Sequence, residues 1–340
     1  MDSGKASRRF FEEHVSGRTG ASRGDVRLGP TYGADFGVVD VGDRVVAMAT
    51  DPVFVLRDLG IERAAWYAFH ICVSDAALSG LPPAHLAVDF NLPPGTDTET
   101  FDAIWAVFDR EAEKLGASLT TGHTGTYEGC SFPTVGGATA LSVGDPADLV
   151  MPTGARPGDR VVVTKGPAIE SAGMLGVLFG DDLPIGAAAA EAARERFEDI
   201  SPVRDALTAA AAGKVTAMHD ATERGLANAF HELAAASGVS LAVERERVPV
   251  LPGVREVCDY FDIDPWTTSS EGTVVATVAP ESVDAVLAAL DDEDIPAAEV
   301  GAVEERGGER VTVDGAPLAE PESDPLWGAY ETGRERFWGE

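Results

Sequence analysis

Short apolar runs alternate with longer, helically spaced segments through the first 150 residues. Apolar runs bounded by turn residues are typical of strands, whereas a period near 3.6 indicates helices. Only Gly42 and Asp43 separate the first two runs, which predicts a hairpin. The pattern predicts helices near 61–79 and 97–115 and strands over 36–41, 44–50, 85–92, 118–122 and 134–143.

The alternation resumes after the Pro- and Gly-rich stretch MPTGARPGD (151–159). We therefore expect an α/β fold with two domains of similar size, over 1–150 and 151–340, and a C-terminal helix after Pro321. The second half is predicted to contain strands over 160–165, 214–218, 273–279 and 296–302 and helices near 170–179, 187–197, 203–212, 222–237 and 281–290.

Composition bears on where in the cell the protein is expected. The 340 residues are 44% hydrophobic, contain no apolar run of membrane-spanning length, and begin with a segment unlike a signal peptide. The three cysteines are widely spaced and form no CxxC pair, so we expect free thiols. These features predict a soluble, cytoplasmic protein.

Charge narrows the classes of partner. The formal net charge is -31 and the pI is about 4.4, so nucleic acids and anionic membranes would be repelled. The 57 acidic residues are dispersed along the chain, which favours the surface of a salt-adapted (halophilic) protein over an acidic binding tail. A phosphate-bearing ligand would have to be met by helix ends, local cations or a metal ion.

Three aspartates in the first half are candidates for such a site. Asp75 lies within the apolar run AFHICVSDAALSG, and Asp35 and Asp51 lie where the predicted strands begin and end. Carboxylates that converge from separate elements suit Mg²⁺, which prefers oxygen ligands and binds nucleotide phosphates. The alternatives are a turn residue for Asp35, a strand terminator for Asp51, and for Asp75 a bond to a backbone amide or to a nearby serine hydroxyl.

The segment HDATERGLANAF allows two interpretations. Asp220 followed by Glu223 resembles a capping box at the start of the helix predicted over 222–237. However, Gly225 in the first turn is also typical of a helix start where the backbone approaches a phosphate.

The segment TTGHTG (120–125) follows an apolar run, and glycines flank its histidine, His123. It is either a tight turn with a surface histidine or a loop that approaches phosphates or substrate. The sequence has no P-loop motif and no GxGxxG after a strand, so neither of those nucleotide sites is predicted.

Together, GADFGVV, ATDPVF, CVSDAALSGLPPAHLAVDFNLP, TTGHTG, GDRVVVTKGPAIESAG, HDATERGLANAFHELA and SSEGTVVATV resemble the AIR synthase superfamily in order and spacing, over about residues 25 to 305. The similarity is greatest to its HypE-like branch found in archaea. The resemblance implies an N-terminal ATP-binding domain that forms a barrel shared between two copies of the chain, and a C-terminal α/β domain. It therefore implies ATP and Mg²⁺ as cofactors and a homodimer.

The resemblance also assigns residues. It implies that Asp35, Asp51 and Asp75 are metal and nucleotide ligands. Further nucleotide-binding positions would come from the glycine-rich segment and from the start of the C-terminal helix: Gly122, His123, Thr124, Asp220, Thr222 and Gly225.

The chain also departs from the family in several places. Its last residues, ERFWGE, lack the terminal cysteine on which HypE-like self-modification depends, and RTGASRGDVRLG lacks the reactive residue of selenophosphate synthetase. Arg224 stands where the family pattern has a second glycine.

We expect an enzyme that uses Mg²⁺ and ATP to phosphorylate an amide-like carbonyl oxygen of a small substrate, after which a nitrogen displaces phosphate. Candidate catalytic residues are His123 and Lys165 as phosphate or substrate contacts and Glu170 or Glu271 as bases. The alternatives are a small-metabolite kinase resembling thiamine-monophosphate kinase and a nucleotide-binding scaffold, without turnover, for a maturation partner protein.

Overall fold

A computed structural model describes residue 6 and residues 8–339. Its ten helices among these residues are α1 Arg8–His14, α2 Ile61–Ala77, α3 Thr98–Leu115, α4 Ile169–Phe179, α5 Ala187–Glu195, α6 Val203–Ala212, α7 Gly225–Ser237, α8 Val254–Phe261, α9 Val283–Asp292 and α10 Leu326–Gly333.

The strands form two sheets. In chain order they are β1 Val26–Leu28, β2 Gly37–Val41, β3 Arg44–Phe54, β4 Pro83–Leu92, β5 Ser118–Thr126, β6 Thr134–Gly144, β7 Arg160–Thr164, β8 Val215–Asp220, β9 Ser240–Val243, β10 Val274–Val278, β11 Ala297–Glu304, β12 Val311–Val313 and β13 Ala316–Pro317.

The chain divides into two compact units. The N-terminal unit comprises residues 23–29 and 36–149, and the C-terminal unit comprises the described residues up to Ser22, residues 30–35 and the chain from Val150 onward. Two segments from the first 35 residues thus pack with the second half of the chain, which the predicted division at 150 and 151 did not include.

The N-terminal unit is a six-stranded sheet in the order β1-β2-β3-β6-β4-β5. The predicted hairpin is confirmed, because β2 pairs with β3 antiparallel and Gly37 lies opposite Met48. Helix α2 packs on β3 and β6 and against α3. Phe69 of α2 and Phe90 of β4 both contact Phe108 of α3 at 5.5 Å between ring centroids, so aromatic packing joins the helices to the sheet.

The C-terminal unit is a seven-stranded sheet in the order β13-β12-β9-β11-β7-β10-β8. All neighbouring strands are antiparallel except β12 and β9, which are parallel. Its core joins the apolar face of α7, including Phe230 and Leu233, to Val161 and Val163 of β7. The mixed α/β architecture is as predicted.

The pattern predicted long, apolar elements best. Strands β1, β9, β12 and β13 and helices α1 and α8 were not predicted, since each is short and gives the pattern few residues to reveal it. Within residues 8–339, no helix is long and apolar enough to cross a membrane.

Candidate functional site

Asp51 and Asp75 of the N-terminal unit converge on Cys72. Asp51 lies within β3 opposite Ala138 of β6, and Asp75 lies in the last turn of α2, which packs on β3. Cys72 is fully buried one turn before Asp75, and its thiol donates to the carbonyl of Pro52 at 3.8 Å. Asp51 precedes Pro52 in the chain and Asp75 follows Cys72 by one turn of α2, so both acids lie near the thiol. Burial raises the pKa of Cys72, and the carboxylates of Asp51 and Asp75 raise it further.

Two alternatives for these aspartates are wrong. Asp51 does not end its strand, because β3 continues to Phe54. The hydroxyls of Ser74 and Ser79 donate to the carbonyls of His70 and Ala76, each at 2.6 Å, so they are directed away from the Asp75 carboxylate. Asp75 is half-buried rather than enclosed. Two partly accessible carboxylates around one point are an oxygen donor set that fits Mg²⁺.

The prediction of a phosphate-approaching loop at 120–125 is wrong. These residues lie inside β5, an edge strand of the sheet, where His123 is opposite Asp89 of β4. His123 is exposed, and its Nε2 is 2.6 Å from the hydroxyl of Tyr127. The exposed Thr124 continues the same strand.

Packing explains the glycine before His123. A Cβ on Gly122 would lie 2.2 Å from the carbonyl oxygen of Val88, so only glycine allows β5 to approach β4 this closely. The structure therefore does not bring Gly122, His123 and Thr124 into a phosphate-binding turn.

In the C-terminal unit, several carboxylates surround His219, which lies at the end of β8 and is almost fully buried. Its Nε2 is 3.0 Å from Asp35 Oδ2 and 3.5 Å from Glu232 Oε2, and its Nδ1 is 2.6 Å from the backbone oxygen of Asp220 and 3.6 Å from Oδ1 of the same residue. Both ring nitrogens thus face oxygens, as donors do in the protonated ring.

Electrostatics favours the same protonation state. Burial lowers the pKa of His219, but the carboxylates of Asp35, Glu232 and Asp220 outweigh it and raise the pKa to about 9. His219 is therefore an imidazolium at neutral pH. We refer to Asp35, His219, Asp220 and Glu232 as the His219 cluster.

The segment that carries Asp35 lies directly on α7. Gly33 has a φ of +78°, and a Cβ there would lie 2.4 Å from the carbonyl oxygen of Glu232. Both the backbone angle and the close approach require glycine at this position.

Asp35, His219 and Asp220 could hold a metal ion, since one ligand atom from each lies within 4.8 Å of the others. An imidazolium has no free nitrogen lone pair, so His219 does not ligate a metal while it is protonated. The ring supplies a positive charge among these acids instead. The carboxylates of Asp35 and Asp220 remain suitable oxygen donors for Mg²⁺.

The start of α7 differs from the predicted capping box. The helix begins at Gly225 rather than at residue 222, Arg224 precedes it in the left-handed region, and Asp220 is the last residue of β8. The Arg224 amide donates at 2.6 Å to the carboxylate of Asp324, a residue far along the chain. A tertiary hydrogen bond to Asp324 therefore takes the place of the local capping box that the sequence predicts.

Gly225 is also explained by packing. It has a φ of +62°, and a Cβ would lie 2.3 Å from the carbonyl oxygen of Thr268. Thr222 lies in the half-buried turn before the helix, where its carbonyl accepts from the Gly225 amide at 3.0 Å.

Lys165 is buried and fully hydrogen-bonded. Its ammonium donates to the carbonyl oxygens of Asp199, Ser201 and Gly272 at 2.8, 3.0 and 3.1 Å and lies 3.1 Å from Asp205 Oδ1. Only 5% of the residue is exposed, so it is not the surface residue that a strand end suggests. With these oxygens around it, the ammonium directs no hydrogen towards a substrate in this arrangement.

Glu170 and Glu271, the two candidate bases, lie together. Glu170 is in the first turn of α4, and its Oε2 accepts from the backbone amide of Glu271 at 3.1 Å. Both residues are buried. The structure thus brings two acids, 101 positions apart, to one point in the C-terminal unit.

Sequence reasoning missed His219, Glu232 and Asp324. His219 had a usable signal, because it precedes Asp220 at the end of an apolar strand. No sequence signal pointed to Glu232 or Asp324, since a single acid on a helix or in a C-terminal loop is ordinarily solvated.

The sequence matches two family models. Residues 33–153 match the AIR synthase related protein, N-terminal domain, and residues 156–314 match the AIR synthase related protein, C-terminal domain. The carbamoyl dehydratase HypE of Rhizobium leguminosarum bv. viciae is 30% identical over 238 residues, which cover 66% of this chain. The alignment spans 62% of that relative's length.

Solved structures share the fold. HypE in complex with ATP superposes with a TM-score of 0.66 at 22% identity and covers 95% of this chain and 97% of its own. ThiL complexed with AMPPCP and TMP gives 0.68 at 22% identity, with 87% and 91% covered. A HypE–HypF complex gives 0.64 at 21% identity, with 84% and 92% covered.

Proposed function

This chain belongs to the AIR synthase related family, and we propose that it is a Mg²⁺- and ATP-dependent enzyme that phosphorylates an amide-like carbonyl oxygen of a small substrate. The convergence of Asp51 and Asp75 on Cys72 carries this proposal. That convergence lies in the part of the chain that matches the family's N-terminal domain. The matched relative named carbamoyl dehydratase and the ATP complex among the similar folds support it.

The proposed reaction has two steps. First, the carbonyl oxygen attacks the γ-phosphorus of ATP, a new O–P bond forms, and ADP leaves. Then a nitrogen lone pair forms a new bond to the carbon, the C–O bond breaks, and phosphate leaves while the nitrogen loses a proton to a base. In a dehydration of the kind given in the relative's name, the nitrogen is the amide's own; it loses one proton after the carbonyl oxygen is phosphorylated and a second as phosphate leaves, and the product is a nitrile.

Asp51 and Asp75 would hold Mg²⁺ in this proposal. When bound, the ion supplies positive charge that neutralises the triphosphate. Without a cation, a chain of net charge -31 would repel the nucleotide. Asp35 and Asp220 offer a second pair of oxygen donors, in the C-terminal unit.

The Glu170 and Glu271 pair is the proposed proton acceptor. The backbone amide of Glu271 donates to Glu170 Oε2, and both residues are buried, so the two acids lie in one part of the interior. The substitution Glu271→Gln keeps the backbone amide that bonds Glu170 and removes one carboxylate. It should lower the rate of product formation more than the affinity for ATP.

The test is ADP release by the purified chain in molar KCl, with and without Mg²⁺, against a panel of small carboxamides and carbamates. Mass spectrometry of the products then separates a nitrile from an amine-displacement product. The Asp75→Asn variant should lose the activity, whereas Asp109→Asn on the exposed face of α3 is the matched control. Substrate-stimulated ADP release that needs no Mg²⁺ would contradict the proposal.

A kinase is the second candidate, favoured by the ThiL fold neighbour with its bound nucleotide analogue. Release of inorganic phosphate distinguishes the two candidates, because a kinase leaves a stable phosphorylated product and releases no inorganic phosphate. A scaffold without turnover is the third candidate. It is favoured by the fully bonded Lys165 and by Arg224 at the start of α7, and it would bind ATP without ADP release.

We also propose a homodimer built by the N-terminal unit. The sheet that contains the predicted strands 36–50 and 85–92 has β1 and the largely exposed β5 at its edges. An open edge of nine residues invites pairing with a second copy. Light scattering in high salt should give twice 35.5 kDa, and a mass near 35.5 kDa at all concentrations would exclude the dimer. A maturation partner, as in the HypE–HypF complex, remains a prediction for this chain.

A further inference from the structure

A basic cavity lies within the C-terminal unit of this acidic chain. It has a volume of about 140 Å³ and lies between α1, the end of α7 and the segment that joins β11 to β12. Its lining includes Arg8, Arg306 and Arg310 but no aspartate or glutamate. Acids outnumber basic residues 57 to 26 in the whole sequence, so a lining with three arginines and no acid is unusual for this chain, although the exposed Glu305 and Glu309 flank it in the same segment.

The three guanidinium groups are not equally neutralised. Arg8 is paired with Glu12 at 2.7 Å, and Arg310 has only a loose pair, 3.6 Å from Glu320. Arg306 is exposed and has no ion pair with any described residue. The guanidinium groups of Arg306 and Arg310 are therefore not fully neutralised by acidic side chains, and their N–H groups can donate to a ligand.

The C-terminal end of α7 does not account for these arginines. Helix ends attract basic side chains when their last carbonyls lack donors. Here Gly238, in the left-handed region, donates to the carbonyls of Ala234 and Ala235, and the Val239 amide donates to Ala234 as well. The helix end is already capped by its own backbone.

We propose that this cavity binds a small tetrahedral oxyanion of the phosphate class. Guanidinium groups form charge-assisted, bidentate hydrogen bonds with such anions. Arg306 and Arg310 come from the segment after β11, and Arg8 comes from α1, so a bound anion is held by two parts of the chain far apart in sequence. None of the lining residues is a residue of the proposed reaction, and the site needs no ATP.

The cavity connects to the segment that carries Asp35. The Arg8 guanidinium lies 5.5 Å from the centroid of the Tyr32 ring. The Tyr32 hydroxyl donates to Glu320 at 3.1 Å, and Glu320 also pairs with Arg310. An anion bound between Arg8 and Arg310 would join the two ends of this chain of contacts and stabilise residues 30–35 against the rest of the C-terminal unit.

The test is calorimetric titration of the full chain with potassium phosphate at constant ionic strength in KCl. We expect one saturable site in the wild type and an affinity about tenfold lower in Arg306→Gln, which corresponds to about 1.4 kcal/mol. Arg306→Lys should retain part of the affinity. Arg255→Gln, which removes an exposed arginine of α8, is the matched control and should bind as the wild type does.

Further titrations and a hydrogen-exchange measurement identify the site and the ligand. Asp75→Asn should bind phosphate normally, because the cavity is distinct from the proposed nucleotide ligands. Sulfate and glycerol phosphate, titrated in the same buffer, distinguish a site for free ions from one for the phosphate of a metabolite. In hydrogen exchange, phosphate should slow the exchange of the backbone amides of residues 31–35 in the wild type and not in Arg306→Gln.

Three results would overturn the proposal. The first is the absence of saturable phosphate binding to the wild type. The second is equal weakening by Arg306→Gln and Arg255→Gln, which would reduce the effect to net charge. The third is loss of phosphate binding in Asp75→Asn, which would place the anion with the nucleotide ligands.

Discussion

The Cys72 region of the N-terminal unit and the His219 cluster of the C-terminal unit place carboxylates around a buried titratable group in the same way, with opposite consequences. In both, the group is protonated at neutral pH: burial raises the pKa of Cys72 and the acids raise it further, whereas the acids raise the pKa of His219 against the effect of burial. A protonated thiol is neutral, whereas a protonated imidazole carries a positive charge. The negative charge of Asp51 and Asp75 is therefore not offset by Cys72, while that of the His219 cluster is partly offset by the ring.

This difference decides what each region can bind. A cation added near Asp51 and Asp75 meets two half-buried carboxylates and no central positive charge. A cation added beside His219 meets an imidazolium 3.0 Å from Asp35. We therefore expect Mg²⁺ affinity to reside mainly in the N-terminal unit, and the stability of the C-terminal unit to depend on its built-in cation.

Removal of the His219 imidazolium should have the largest effect on the free energy of unfolding. His219→Gln leaves the buried Asp220 and Glu232 and the nearby Asp35 without the imidazolium, and loss of one partner of a buried ion pair costs about 3–5 kcal/mol. Denaturant and thermal unfolding should show the loss. The matched variant His123→Gln, at an exposed position, should unfold like the wild type. Equal stability of both variants would contradict the charge assigned to His219.

Asp75→Asn should abolish Mg²⁺-dependent ATP binding without unfolding the chain. The amide keeps the size of the side chain but removes one of two charged oxygen donors, and we expect an affinity loss of about a hundredfold or more. Calorimetric titration with MgATP measures it, with Asp109→Asn as the control. If Asp75 is structural, the variant will instead melt at a lower temperature and bind MgATP normally.

The pH dependence of stability should separate the two regions. His219 has an ordinary pKa of 6.5 and a folded pKa of about 9, so its contribution is full below pH 6.5 and is lost as the pH rises through 9. We expect the wild type to lose a few kcal/mol over this interval. His219→Gln should lose much less, and parallel curves for the two proteins would show that the ring is not the titrating group.

Salt concentration should have the smallest effect on stability, and the effect should be the same in the wild type and the variants. At a net charge of -31, screening of exposed acids should raise the melting temperature between low and molar KCl. The increment should be the same in His219→Gln, because the buried cluster is screened little. A melting temperature that does not change with KCl would contradict the interpretation of a salt-adapted surface.

The sequence located elements better than it located contacts. The apolar runs predicted β2, β3, β4 and β6 closely, since burial on a sheet imposes their spacing. Two glycines have a packing role that the sequence did not show. Gly122 and Gly225 resembled phosphate-binding positions, but both are required by close approach to a carbonyl oxygen of another segment. A sequence shows that a glycine is present and not which neighbour requires it.

The sequence by itself determined the family, the α/β alternation, the net charge and the candidate acids Asp51 and Asp75, because these depend on residue type and local order. Tertiary structure alone decided that Asp35 contacts His219, that Glu170 bonds the Glu271 amide and that Lys165 is fully bonded. Each of these contacts joins residues at least 34 positions apart. Protonation states follow from such contacts, since the charge of a buried group is set by the carboxylates and the desolvation around it and not by its neighbours in the chain.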